Sequence, residues 1–144
     1  MVDPSRVQRK LTALARYRDE LEPLGALASN QYLEGDHAFA GRYLVQASAQ
    51  VCIDLANHVI ASSGWRTAKD FRDAFTVLEE NGVLEAGLAS RLRKLAGLRN
   101  LLVHGYEDID DSLVHQSLGR DLDDLNAFAQ AIAALVEREE HPEG

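Results

Sequence analysis

The chain has 144 residues, about the size of one ordinary domain, and its apolar share is large enough to build a core without a metal or a disulfide framework. No stretch approaches the run of about eighteen apolar residues that a membrane span needs, the first ten residues lack an apolar signal core, and Cys52 is the single cysteine, so a soluble, cytoplasmic, single-domain chain over residues 1–144 is expected. A net charge of −8 argues against a broad cationic face for long nucleic acid, while a compact site could still hold one phosphate with one or two arginines.

Asp3-Pro4 reads as a helix start, with Asp as the cap and Pro in the first helical position. Val7, Leu11, Leu14, Arg18 and Leu21 follow at helical spacing, and Pro23 kinks or ends the helix, with Leu24 and Leu27 extending its face. Gly35-Asp36 marks the next start. From His37 to Ser62, Leu44, Val51, Leu55 and Val59 recur every three or four residues among the small Ala47, Ser48 and Cys52, which predicts a long helix ending near Gly64. Cys52 is expected in the core.

Thr67 is the expected cap of a short third helix with Phe71, Phe75 and Leu78 as its buried stripe and Gly82 as its left-handed terminus. A fourth helix is predicted from about Leu84 to His104. A fifth runs from about Asp110 to Arg138 on Leu118, Leu122, Leu125, Phe128, Ile132 and Leu135, with Asp108, Asp110 and Asp111 favouring its N-terminus and a frayed tail from about residue 138. Strand-like alternation is absent, so the fold class is all-α, an antiparallel bundle of about five helices.

The fourth helix carries the anomaly. At about 100° per residue, Leu88, Leu92, Leu95 and Leu102 share a face with Arg99, and a guanidinium in an apolar seam requires a carboxylate, a set of carbonyls or an opening to a phosphate. Asp54 on the long helix is one available partner; a stem lying along the surface is the other. Gly97, Asn100 and His104 fall on the opposite side. A glycine there costs helix propensity and implies close approach of another surface, for which a second protomer is the economical candidate, so a homodimer is expected.

His104, followed by Gly105, sits in or just past the last turn, accessible and suited to acid–base chemistry. Asn100, one turn earlier, is placed to orient the imidazole or a phosphate. Arg99 and His104 diverge by about 140° on an ideal helix, so either the terminus unwinds or two protomers share the work. Asp54 and His58, four apart, are expected to pair by a hydrogen bond; His37, His115 and His141 are expected to be solvated. Metal-ligand spacing, a phosphate-cradling glycine loop and a dinucleotide fingerprint are all missing, so neither a metal nor a cofactor is expected.

The whole run Arg99-Asn100-Leu101-Leu102-Val103-His104-Gly105-Tyr106 resembles the R-x4-H-x-Y motif of the HepT-like toxins of the HEPN superfamily. The likeness extends over nearly the whole chain, including the short Phe-rich helix that ends at Asn81-Gly82-Val83 and the acidic last helix. It implies a HEPN-like bundle, a homodimer with a composite site at its interface, and metal-independent cleavage of RNA. Arg99 would stabilise charge on the scissile phosphate, His104 would act as general base or acid, and Asn100 would support them. The resemblance further implies a partner, a minimal nucleotidyltransferase antitoxin that transfers AMP to Tyr106. A non-catalytic helical subunit that docks such a nucleotidyltransferase is the alternative, and a generic dimeric scaffold a weaker third.

Overall fold

The computed structural model describes residues 1–142, apart from the side chain of Tyr106. Helix α1 spans Pro4–Ala26, α2 Ser29–Tyr32, α3 His37–Ser63, α4 Phe71–Glu80, α5 Ala86–His104 and α6 Asp111–Glu140, with a 3-10 turn, Tyr106–Asp108, between the last two. No strand occurs among the described residues. The five expected helices are α1, α3, α4, α5 and α6. The short α2 has no counterpart among them.

Helices α1, α4 and α6 begin where a side chain takes up free N–H groups of the first turn. Asp3 accepts from the Ser5 and Arg6 amides, at 3.0 and 3.3 Å, with Pro4 in the first helical position. Helix α1 continues past Pro23 as far as Ala26. Asp110 caps α6 through the Ser112 amide at 2.9 Å. For α4 the cap is Asp70, which accepts from Asp73 N at 2.7 Å, rather than Thr67. The reason lies next door: Arg66 makes paired contacts with Asp73 and Glu80, and Asp73 also accepts the Lys69 amide, so residues 66–70 are held outside the helix. Gly82 adopts φ 76°, as the predicted left-handed terminus of α4 requires.

Helix α3 is central and packs on α1, α4, α5 and α6. Leu14 and Leu21 of α1, Ile53, Leu55 and Cys52 of α3, Phe75 and Leu78 of α4, Leu92 of α5, and Leu118, Leu125, Phe128 and Ile132 of α6 are all buried in one core. Phe75 meets Phe128 edge to face at 5.9 Å between centroids. Burying each such side chain contributes about 2–3 kcal/mol before entropy is charged against it. Cys52 is a packing residue, and burial pushes its thiol well above the ordinary range, which leaves it unreactive.

Helix α2 exists because Tyr32 fits the fold, since a four-residue helix has no stability of its own. Its ring is fully buried, stacked on His115 at 4.4 Å, and its hydroxyl lies against the bare Cα of Gly41, where a Cβ would collide with it. His115 is therefore half-buried against an aromatic ring rather than solvated. His37 and His141 are exposed, as expected. Desolvation raises the Tyr32 phenol, and the charge of Asp111 adds to this against the opposing charge of Arg42.

Candidate active site

Helix α5 is anchored by Leu88, Leu92, Leu95, Ala96 and Leu102, which are buried against the core, and it stays helical through His104. The amide of Gly105 then closes on Leu101 O at 2.7 Å, and the chain turns through Tyr106–Asp108, where the Asp108 amide reaches Gly105 O at 2.9 Å. Arg42 of α3 grips Asp111 with two charge-assisted bonds of 2.7 and 2.8 Å, fixing the start of α6 at the far end of this connection. The terminus does not unwind. Within one chain Arg99 and His104 thus remain on different faces, about 140° apart.

Arg99 is half-buried, and its partner is not Asp54. Its Nε donates to Gln50 Oε1 at 2.8 Å, its Nη1 donates to Asn100 Oδ1 at 3.2 Å, and the guanidinium stacks over Phe71 at 5.0 Å from the ring centroid. Gln50 in turn donates through Nε2 to Asp54 Oδ1 at 2.8 Å, and Lys10 binds the other oxygen of Asp54 at 3.1 Å. The amide orientation of Gln50 is forced, because a carboxylate only accepts and a guanidinium only donates. Gln50 therefore separates Arg99 from the anion. The charge of Asp54 is met by Lys10, and among the described residues Arg99 has no carboxylate at ion-pair distance. Such a cation is oriented on two sides and keeps its charge unneutralised by a carboxylate.

The other expected groups are placed as follows. His104 is exposed in the last turn and makes no hydrogen bond to the described residues. Asn100 uses its carbonyl oxygen on Arg99, so it supports the arginine rather than the imidazole. The Tyr106 side chain lies outside the described residues. His58 does not pair with Asp54; its Nε2 accepts the Asp3 amide at 3.1 Å, and burial, then the charge of Arg6, lowers its pKa. Gly97 is covered by the guanidinium of Arg72 from α4 of the same chain, which a Cβ would displace.

Periodicity on α3 could have pointed to Gln50. Arg42, Gln46, Gln50 and Asp54 recur every four residues between the apolar positions of α3, and such a polar stripe faces the polar segment of a neighbour. Beside the motif lies a groove with an apolar floor of Leu98, Leu101, Ile109, Leu113 and Val114, bordered by Lys94, Asp108, Asp110 and Ser117, in which Leu101 and Leu113 are exposed.

A family model for HepT-like ribonucleases matches residues 9–132. The chain belongs to the HepT-like ribonuclease family. Its relatives in that family include the mRNA nuclease HepT of Shewanella oneidensis, 32% identical over 90 residues, which are 62% of this chain and 68% of that protein. The tRNA nuclease HepT of Aphanizomenon flos-aquae is 27% identical over 138 residues, 94% of this chain and 92% of its own length. Among solved structures, the tri-AMPylated Shewanella oneidensis HEPN toxin in complex with its MNT antitoxin superposes with a TM-score of 0.82 at 25% identity, covering 89% of this chain and 96% of that one. The bundle of this HepT-like chain is thus the HEPN toxin fold. Among the described residues no helix is long and apolar enough to cross a membrane.

Proposed function

We propose that this chain is the toxin of a toxin–antitoxin pair, an endoribonuclease of the cytoplasm whose site is completed by a second protomer and which is silenced by AMP transfer to Tyr106 from a minimal nucleotidyltransferase. The observation that carries the catalytic part is Arg99: stacked on Phe71 and fixed by Gln50 and Asn100, it keeps its whole charge for a phosphate at the end of a helix that also presents His104. Family membership and the names of the relatives support RNA as the substrate.

In the proposed reaction one His104 takes the proton of a ribose 2′-hydroxyl while that oxygen forms a bond to the neighbouring phosphorus. The bond from phosphorus to the 5′ oxygen breaks, and the leaving oxygen receives a proton from the second copy of His104. The products are a 2′,3′-cyclic phosphate and a 5′-hydroxyl. Arg99 meets the charge that builds on the non-bridging oxygens, and Asn100 holds Arg99 in place. The motif offers one imidazole and no carboxylate, a donor set suited to proton transfer without a metal ion. The exposed Leu113 beside the motif supports the two-protomer arrangement, since a partner would cover it.

Incubation of the purified chain with RNA in EDTA should yield cyclic phosphate ends, and His104→Ala should lower the rate by about 100-fold or more. Equal rates for parent and variant would remove the catalytic assignment. The Tyr106 assignment rests on the family motif; intact mass after incubation with ATP and the nucleotidyltransferase should rise by an adenylyl group, and not in Tyr106→Phe. The net charge of −8 favours a second reading, a non-catalytic subunit that docks the nucleotidyltransferase. Growth arrest on expression, relieved by His104→Ala or Arg99→Ala, decides for the nuclease; the absence of arrest decides for the second reading.

A further inference from the structure

Net negative charge makes any cationic groove on this chain conspicuous, and one lies between α4 and α5. It is open, about 640 Å³ in volume, and is lined by Arg72, Ser90, Arg93, Lys94, Gly97 and the pair Leu98 and Leu101, with no acidic residue among them. Arg93 is engaged by Glu79 at 3.1 Å and Thr76 at 3.3 Å. Arg72 and Lys94 are exposed and form no ion pair among the described residues. These two cations flank a floor lowered by Gly97, over which the guanidinium of Arg72 rests, while Lys94 also borders clefts that hold Asp108, Asp110, Asp121 and Asp124.

The direction of this groove matters more than its charge. Along α5, residues 90, 94, 97, 101 and 104 fall within about 80° of arc, so the groove follows one helix face that ends at His104. From Lys94 to His104 is roughly 15 Å of helix axis, a distance spanned by a few nucleotides of extended strand. Arg99 points away from this face. The groove is therefore separate from the arginine-held phosphate position and leads to the histidine from outside.

We propose that this groove is a binding track for the backbone of single-stranded RNA, in which Arg72 and Lys94 hold phosphates a few nucleotides from the cleaved bond and Leu98 and Leu101 give an apolar wall to a ribose or base. This rests on the ribonuclease reading above and adds to it a subsite remote from the chemistry. Cations at such positions add affinity for long substrates and do nothing for a substrate too short to reach them. Their contribution is also salt-dependent, with a slope of roughly 0.7 per phosphate contacted on a single strand.

The test compares the parent with the double variant Arg72→Glu and Lys94→Glu, both exposed positions, using a labelled 20-nucleotide single-stranded RNA and a dinucleotide. The 20-mer should bind at least 10-fold more weakly to the double variant, with a log–log salt slope smaller by roughly 1.4, while dinucleotide cleavage is unchanged. The charge-preserving pair Arg72→Lys and Lys94→Arg should restore binding. Gly97→Ala, whose Cβ displaces the Arg72 guanidinium, should weaken 20-mer binding several-fold. Unchanged affinity and slope would overturn the proposal. So would a loss of affinity that appears only together with dissociation of a dimer, which would assign the groove to a second copy of the chain. A parent that binds the 20-mer in this way and cleaves neither substrate would refute the nuclease reading and leave the track standing.

Discussion

Replacing Gln50 with glutamate changes one atom group and should separate the orientation of Arg99 from its charge. In the parent the amide oxygen lies 2.8 Å from Arg99 Nε, and the amide nitrogen lies 2.8 Å from Asp54. A carboxylate in that place keeps the hydrogen bond to Arg99 and adds a negative charge on its inner side. A phosphate docked on the outer edge of the guanidinium would sit roughly 7 Å from this charge, and at an effective dielectric of about 20 the repulsion is about 2 kcal/mol. That corresponds to roughly a 30-fold loss in kcat/KM. Asp54 also loses a donor and faces a second anion, which should cost about 1 kcal/mol of stability. Gln50→Ala removes the tether without adding charge and should lose less, about 10-fold. Cleavage of a short RNA under kcat/KM conditions, with melting curves to verify folding, should rank the parent first, Gln50→Ala second and Gln50→Glu last. A Gln50→Glu variant as active as the parent, or more active than Gln50→Ala, would refute the claim that Gln50 keeps Arg99 from being neutralised.

Asp121 offers a pH-dependent test of the packing between α5 and α6. Burial, with the charge of Asp124, pushes its carboxyl up to about 6, against a hydrogen bond from Ser117 and the charge of Arg120. The Ser117 hydroxyl lies 3.1 Å from Val114 O and 3.0 Å from Asp121 Oδ2; with Asp121 ionised the two oxygens share its one proton, and with Asp121 protonated the carboxyl can donate to the Ser117 oxygen while the hydroxyl donates to Val114 O. The folded chain then holds more protons than the unfolded one between about pH 4 and 6, so stability falls as pH rises through that window. Asp121→Asn should stabilise the protein at pH 8 by up to about 2 kcal/mol and make little difference at pH 4, as read by melts at both values. For His58 the sign is opposite: its lowered pKa means that the unfolded chain takes up a proton first as pH drops below about 6.5, and stability falls. Exchange of the Asp3 amide should accelerate in that range, and pH-independent protection there would contradict the hydrogen bond to His58. Phe128→Ala, at the centre of the core against Phe75, should cost about 3–5 kcal/mol in urea denaturation. A loss below about 1 kcal/mol would show that the site is not packed as described.

The long helices were legible because each repeats an apolar face over many turns, and the starts of α1 and α6 carry caps whose chemistry is local. Helix α2 was not, since its four residues are too few for a period and it is held by the fit of Tyr32 against Gly41 and His115. The choice between Thr67 and Asp70 as cap also lay outside local sequence, because Arg66 settled it by binding Asp73 and Glu80. In the site, the oddity of Arg99 in a leucine face was visible from spacing alone. The identity of its partner was not: periodicity gives angles within a helix and says nothing of the register between α3 and α5, which brings Gln50 rather than Asp54 to the guanidinium. Gly97 likewise announced a close approach, and only the packing of α4 on α5 shows that Arg72 makes it.

The regular end of α5 bears on dosage. If an unbroken helix keeps Arg99 and His104 apart in one chain, as proposed above, cleavage below the dimer dissociation constant scales with the square of the chain's concentration. Halving the amount of protein would cut the damage to a quarter, so slow leakage of the gene product would be harmless while a burst would not. A threshold of this kind needs no regulator, since it follows from a helix that continues one turn too far for a single copy to act alone.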